Sequence, residues 1–322
     1  MGGEIGTMHR RSMIIICGPT GVGKSDFAEQ LAEQASGEII NMDLGQFYTP
    51  LSIGTAKPDW RNAKVTHHLF DILDSPTNFT VVQYRELLLK TSNQLWDRNI
   101  LPIVVGGSAF YLKSLLFPPV SDNAHISSSF SEVFTWNDLY EIDPERANAL
   151  HENDHYRINR AVQIWRTTGT KPSLYQPKFE LPCNVIILFL TRERKELYAR
   201  INERVDVMIK AGWLDEVKGL YHTPWEAFLY EKKLIGYNEL LAYCAAPPNE
   251  QNLERTIAII QQRTRHYAKR QETFWRGLER ALKAAYKEVK EPQYTMATDT
   301  ANLTLLDVNL YIKQLLDRLK NR

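Results

Sequence analysis

The sequence is poor in cysteine, nearly neutral overall and without a long apolar run, and each scarcity closes off a class of protein. Only three cysteines occur among 322 residues, Cys17, Cys183 and Cys244, with no C-x-x-C spacing, so neither a disulfide framework nor a cysteine zinc site is expected. Reduced, buried thiols are the expectation. No stretch approaches the roughly 20 apolar residues that span a bilayer, and the opening "MGGEIGTMHRRS" has no apolar signal core, which predicts a cytoplasmic chain without a membrane span. A formal net charge of +1 argues against a surface uniformly coated with positive charge. Repeats and low-complexity segments are absent. What remains is an ordinary globular composition, 43% hydrophobic and 24% charged, sufficient for one or two domains with a large core.

Charge is nevertheless distributed unevenly. From Arg255 to Lys290, ten Lys or Arg stand against three Glu; a solvated helix face or a surface turned toward a polyanion would each account for it. Along the chain, "SMIIIC", "GEIINM", "ILPIVVGG" and "NVIILFLT" read as buried strands, and "KSDFAEQLAEQA" as a helix with apolar positions at helical spacing. A second helix is signalled by Thr80 and by an apolar face of Val82, Leu87, Leu88 and Leu95. Strands alternating with helices predict an α/β fold with a parallel sheet and right-handed crossovers. Residues 117–176 read as a short insertion, first Pro- and Ser-rich and then helical, between core segments 13–116 and 177–322. Beyond residue 192 the pattern is helical throughout.

The stretch "GPTGVGKS", Gly18 to Ser25, lies between a predicted strand and a predicted helix and has the spacing G-x-x-x-x-G-K-S. In that context the pattern is a phosphate-binding loop, or P-loop. Backbone N–H groups of Gly18, Pro19, Thr20, Gly21, Val22 and Gly23, proline excepted as a donor, turn toward phosphate oxygens. The helix N-terminus and Lys24 add positive charge, and Ser25 can ligate a Mg²⁺ ion on the same phosphates. Asp43 stands just past the second strand, on the sheet edge that faces the same crevice. It can hold Mg²⁺ or accept a proton from a nucleophile; a turn or helix-cap aspartate is the alternative. Lys57, Ser108 and Tyr111 fall on loops of that rim. Adjacent His67 and His68 point in different directions and lack ligand spacing, so no metal is expected there.

In order, "GPTGVGKS", "NMDLGQFY", "IGTAKP", "HHLFDILD", "PIVVGGSAFYLKSLL", "NDHYRINRAVQIWRTTGTKPS", "RVDVMIKAGWLDEV", "LIGYNELLAY" and "RTRHYAKRQETFWR" resemble the tRNA dimethylallyltransferases, also called tRNA isopentenyltransferases. The resemblance covers about residues 13–277. It implies a P-loop NTPase-like core that transfers a dimethylallyl group from dimethylallyl diphosphate to N6 of adenosine 37, beside the tRNA anticodon, with release of diphosphate. Mg²⁺ is the implied cofactor, the tRNA anticodon stem-loop the implied partner, and a monomer the implied state.

An exocyclic adenine amine is a weak nucleophile, so a base that removes its proton helps, and Asp43 suits that role. Lys24, the loop N–H groups and Mg²⁺ suit the charge that builds on departing diphosphate. The resemblance further assigns Lys233 to the diphosphate. Asp43, Leu44, Gly45, Gln46, Lys57, Ser108, Tyr156, Arg157, Ile158, Asn159, Arg160 and Arg265 are assigned to tRNA. Gln46 is expected to read the adenine edge by donating and accepting at once. Phe47, Tyr48, Phe110 and Tyr111 suit base stacking, a prenyl pocket or ordinary core packing. The chain departs from the family at Leu44 and Gly45, where Ser-Arg is usual, at Ser108 for Thr, at Asn238 for Arg and at Lys233 for Arg. Two other classes share the glycine-rich loop: a small-molecule kinase with Asp43 as base, and a non-catalytic RNA-binding protein.

Overall fold

The computed structural model describes residues 11–119, 133–174, 177–247 and 249–320. Six strands, β1 (Ser12–Cys17), β2 (Gly37–Asn41), β3 (His67–His68), β4 (Leu101–Val105), β5 (Asn184–Thr191) and β6 (Met296–Asn302), form one sheet in the order β3-β2-β4-β1-β5-β6. Every pairing is parallel. Strand β1 is central because its run Met13–Ile16 has 0% exposure, and only a strand covered on both faces tolerates continuous apolar sequence.

Twelve helices are present among the described residues. They are α1 (Lys24–Ala35), α2 (Val81–Asp97), α3 (Ala109–Leu116), α4 (Trp136–Ile142), α5 (Pro144–Asn148), α6 (His155–Thr168), α7 (Arg194–Lys210), α8 (Trp213–Leu220), α9 (Pro224–Lys232), α10 (Tyr237–Cys244), α11 (Glu250–Lys287) and α12 (Val308–Lys320). On one side of the sheet, Phe27, Leu31, Leu197, Ile201, Ile312 and Leu315 join Ile14, Ile16, Leu188 and Leu190 in a single apolar cluster. Elsewhere Phe189 of β5 stacks on Trp275 of α11, centroids 4.8 Å apart and planes 2° from parallel. Helix α2 starts where its sequence says: Thr80 accepts from the Gln83 N–H at 3.2 Å, and Gln83 reaches back to the Thr80 N–H at 2.9 Å, a capping box.

Strand β6 corrects the expectation of an all-helical stretch beyond residue 192. Its sequence, MATDTAN, has no apolar alternation, yet it registers with β5 from Val185↔Met296 to Thr191↔Asn302. An edge strand gains its backbone hydrogen bonds from a preformed neighbour and needs no strongly apolar face. Two compact units are present, Met1–Leu112 with Leu181–Arg322, and Lys113–Glu180. The second has its own small core of Phe134, Leu139, Ala147, Ile158, Ala161 and Val162. Residues 120–132 of the Pro- and Ser-rich stretch lie outside the described residues. No described helix is long and apolar enough to cross a membrane. Cys17 and Cys183 are free and buried, and Cys244 is free and half-buried.

Candidate active site

The site lies where the sheet order reverses direction around β1, at the carboxyl ends of β1, β2, β4 and β5. This is where parallel α/β sheets open a crevice. From β1 the chain enters the loop at residues 18–23 and then α1. Gly23, the residue before α1, has φ +102°, a left-handed conformation that admits glycine without the Cβ clash. The Lys24 ammonium folds back over the loop, donating to the Gly18 carbonyl at 3.1 Å and the Pro19 carbonyl at 3.0 Å. Val22 is fully buried. Ser25 is exposed on the first turn of α1.

From β2 the chain passes through Asp43 into a short 3₁₀ helix, Leu44–Phe47. The Asp43 carboxylate accepts from the Gly45 N–H at 3.1 Å, and the Asp43 N–H is held by Asn41 Oδ1 at 2.9 Å. Asp43 thus caps a turn and also faces the site. Burial raises its pKa, opposed by the Lys24 charge, the Gly45 N–H and Arg204. Lys24 is pushed down to about 8, by burial first and by Arg204 second, with Asp43 opposing. These two perturbed groups are the electrostatic signature of the crevice.

From β4, Gly107 comes beside the ammonium: a Cβ built on it would lie 3.7 Å from Lys24 Nζ and 2.6 Å from Gln271 Nε2. Gln271 of α11, 8% exposed, ties two loops together. Its Nε2 donates to the Gly107 carbonyl at 2.9 Å, and its Oε1 accepts from the Thr20 N–H at 2.9 Å. Nearby Tyr267 has its phenol pushed up to about 12 by burial and by the Asp43 charge.

Three arginines complete the site, and the sequence reading named none of them. Arg192 follows β5 and donates through Nε to the Val22 carbonyl at 2.8 Å, while its guanidinium also pairs with Glu196. From α7, Arg200 Nε donates to the Gly21 carbonyl at 3.0 Å, and the Arg204 guanidinium reaches the Thr20 hydroxyl at 3.4 Å. Positions 200 and 204 are one helical turn apart and share a face. With Lys24 they surround the loop with four cations. The sequence signals were that i, i+4 spacing and the place of Arg204 at the head of "RVDVMIKAGWLDEV", neither of which says which face of α7 meets the loop.

Other expected residues are placed differently. Lys57 is not open on the rim: its side chain is 4% exposed, forms an ion pair with Asp71 and donates to the Tyr48 carbonyl at 2.8 Å. Gln46 does not offer both functions, because Nε2 already donates to the carbonyls of Thr55 at 3.1 Å and Ala56 at 3.3 Å. Phe47 and Tyr48 at 0% and Tyr111 at 4% exposure are core residues. Phe47 packs in an aromatic cluster with Tyr84 and Tyr111 at 5.5 and 5.9 Å. Phe110 is 58% exposed. Leu44 and Ser108 are half-buried, and Gly45 is buried.

Lys233, just after α9 with φ +52°, lines a separate shallow pocket of about 260 Å³ with Ile235, Arg263, His266 and Arg270. Arg265 is committed to Asn202, Arg263 to Glu239 and Lys283 to Glu279. Lys269, Arg270 and Arg276 remain exposed on α11. In the second unit, Tyr156 is 80% exposed and Arg157 pairs with Asp154 at 3.2 Å. Ile158 is not available to RNA, since it has 0% exposure in that unit's core. Asn159 is committed as well, accepting from the Phe134 N–H at 2.9 Å and donating to the His155 carbonyl at 2.7 Å. Arg160 is half-buried.

His67 and His68 are taken by other partners: His68 Nε2 lies 2.6 Å from Glu38 and His67 Nδ1 lies 2.9 Å from the Val65 carbonyl. Among the described residues no group of three or more His, Cys, Asp or Glu is arranged to hold a metal.

Comparison with known proteins agrees with this architecture. A family model described as IPP transferase matches residues 46–278. The tRNA dimethylallyltransferase of Geobacter sulfurreducens is 36% identical over 290 residues, 86% of this chain and 92% of the relative. That of Thermotoga maritima is 35% identical over 278 residues, 83% of this chain and 90% of the relative. Among solved structures, a eukaryotic dimethylallyltransferase acting on tRNA has a TM-score of 0.75 at 28% identity, covering 97% of this chain and 80% of that one. The tRNA isopentenylpyrophosphate transferase of Bacillus halodurans has a TM-score of 0.60 at 29% identity, covering 97% of this chain and 96% of that one. With nearly three quarters of its length matched by the family model and the curated relatives aligned over most of both chains, this chain belongs to the IPP transferase family.

Proposed function

We propose that this chain is a cytoplasmic, monomeric tRNA dimethylallyltransferase. It transfers the dimethylallyl group of dimethylallyl diphosphate to N6 of adenosine 37 in the anticodon loop and releases diphosphate. The observation that carries this reading is the pairing, in one crevice, of a loop ringed by Lys24, Arg192, Arg200 and Arg204 with the Asp43 carboxylate, whose pKa burial raises.

The diphosphate rests on the N–H groups at the start of α1. Lys24 swings from the Gly18 and Pro19 carbonyls to its oxygens, and Arg200 and Arg204 add charge beside it. The adenine, swung out of the loop stack, presents N6 to the allylic carbon. As the N6–C bond forms, the allylic C–O bond breaks, and its electron pair goes to diphosphate. Once Lys24 has moved onto the diphosphate, the cations around it stabilise that oxyanion without further reorganisation. Asp43 takes the N6 proton; a carboxylate with a raised pKa is a stronger base than an exposed one.

The exposed Ser25 hydroxyl would hold a Mg²⁺ ion, since Mg²⁺ favours oxygen donors and keeps few protein ligands. Such an ion would supply further charge neutralisation of the diphosphate. The test is to combine the protein, dimethylallyl diphosphate, Mg²⁺ and unmodified tRNA and to digest the product to nucleosides. Prenylated adenosine is the expected product. ATP-dependent phosphorylation of a small molecule, or RNA binding with no transfer, refutes the proposal.

A further inference from the structure

The carboxylate of Glu216, on α8, sits in a nest of backbone donors far from it in sequence. Oε2 accepts from the N–H of Ser52 at 3.0 Å and of Ile53 at 2.7 Å. Oε1 accepts from the N–H of Gly54 at 3.2 Å and from the Tyr237 hydroxyl at 2.7 Å. Successive N–H groups converging on one anion are a strong and directional arrangement. Trp213, one turn before Glu216, packs so closely on this turn that a Cβ at Gly54 would lie 2.0 Å from its Nε1. Glu216 therefore fixes the turn at residues 52–54 in place.

That turn carries the next two carbonyls, of Thr55 and Ala56, which accept from Gln46 Nε2. Carbonyl oxygens only accept, so the amide nitrogen must face them. Gln46 Oε1 accepts from no described residue and is the atom left for a ligand. Asp43 and Gln46 are three apart across the 3₁₀ turn, joined by the Gln46 N–H to the Asp43 carbonyl at 3.2 Å. Asp43 is the extended N-cap residue of that helix, at φ −121° and ψ 120°, and Gln46 lies within it. With Nε2 held by those carbonyls, Gln46 Oε1 and the Asp43 carboxylate are both acceptors on one short turn, matched to the two hydrogens of an amino group placed between them. A keto oxygen at the same place would meet two acceptors and no donor.

We propose that Glu216 is a positioning residue for base selection: by holding the turn at residues 52–54 it locks Gln46 with Oε1 outward, so that Gln46 and Asp43 together accept an exocyclic amino group. The inference rests on the proposed adenosine N6 transfer. Its test uses anticodon stem-loop RNAs with adenosine or with purine riboside, which lacks the amino group, at the target position. Affinity for each is measured by fluorescence anisotropy, alongside affinity for dimethylallyl thiodiphosphate and the thermal midpoint.

The wild type is expected to bind the adenosine RNA at least about tenfold more tightly than the purine RNA, the scale of the two hydrogen bonds that the amino group would make. Glu216→Ala is expected to lose most of that preference and to keep its affinity for the thiodiphosphate. Glu216→Gln, which keeps one acceptor oxygen, and Tyr237→Phe, which removes one of four donors, are expected to lose less. They decide the matter should Glu216→Ala fail to fold. A preference retained at the wild-type level in the variants, or lost together with thiodiphosphate affinity, overturns the inference alone, as does a wild type that transfers the prenyl group to the adenosine RNA yet binds both RNAs equally. A wild type that transfers nothing overturns the function and this inference with it.

Discussion

In the proposed transfer, Lys24 is expected to set the alkaline limb of the reaction. Burial and the Arg204 charge bring its pKa down to about 8 in the free protein. In the proposed mechanism the protonated form binds diphosphate, and it is lost as pH rises through that value. About nine in ten free molecules carry the charge at pH 7, about half at pH 8 and about one in eleven at pH 9, so kcat/KM is expected to fall roughly tenfold per unit above pH 8. The bound diphosphate anion raises the Lys24 pKa again, so kcat should remain flat to higher pH. The Tyr267 phenol, at about 12, stays out of this window, and burial takes the Tyr111 phenol and Cys17 thiol higher still. Lys24→Ala should lose about 10²- to 10³-fold in rate and its alkaline limb as well. Lys24→Arg keeps a charge that does not titrate and should flatten the limb even where its rate is low. The assay is initial-rate prenyl transfer from about pH 6 to pH 10 at subsaturating donor and fixed ionic strength. A wild-type profile flat to about pH 9.5, or a limb that persists unchanged in Lys24→Arg, refutes the assignment.

Asp43→Asn keeps an acceptor for the Gly45 N–H but cannot take the N6 proton; single-turnover transfer should fall by about 10²- to 10⁴-fold while thiodiphosphate binding is retained. Arg204→Met should weaken donor binding by roughly ten- to a hundredfold, the scale of a charge-assisted contact, and should move the alkaline limb to higher pH because one cause of the depressed Lys24 pKa is gone. Gly54→Ala puts a methyl group 2.0 Å from Trp213 Nε1 and 2.7 Å from Tyr237 Cζ; denaturant unfolding should report a loss of about 1–3 kcal/mol. Lys57→Met leaves the buried Asp71 carboxylate with Arg61 as its remaining ion-pair partner, a loss of about 3 kcal/mol on the scale for broken buried pairs, and tRNA affinity of the folded variant should stay near that of the wild type because the ammonium is inaccessible.

The sequence by itself determined β1, α1, β5 and the phosphate loop between β1 and α1, because continuous apolar runs, helical spacing and a glycine-lysine-serine pattern are local signals. It also placed Asp43 past β2, since the end of a parallel strand defines the crevice edge wherever the strand lies. It could not supply β6, whose stability comes from a ladder with β5 more than a hundred residues earlier and not from its own side chains. Nor could it tell that Lys57, Ile158 and Asn159 are consumed internally, because exposure is a property of the packed chain and charge or polarity at one position does not report it. Arg192, Arg200 and Arg204 reach carbonyl and hydroxyl groups of the loop across 170 or more residues of chain. Glu216 meets its nest across more than 160. A motif names the atoms that lie on one short segment; the cations and carboxylates that arrive from elsewhere are selected by the packing of α7 and α8, which only the tertiary structure decides.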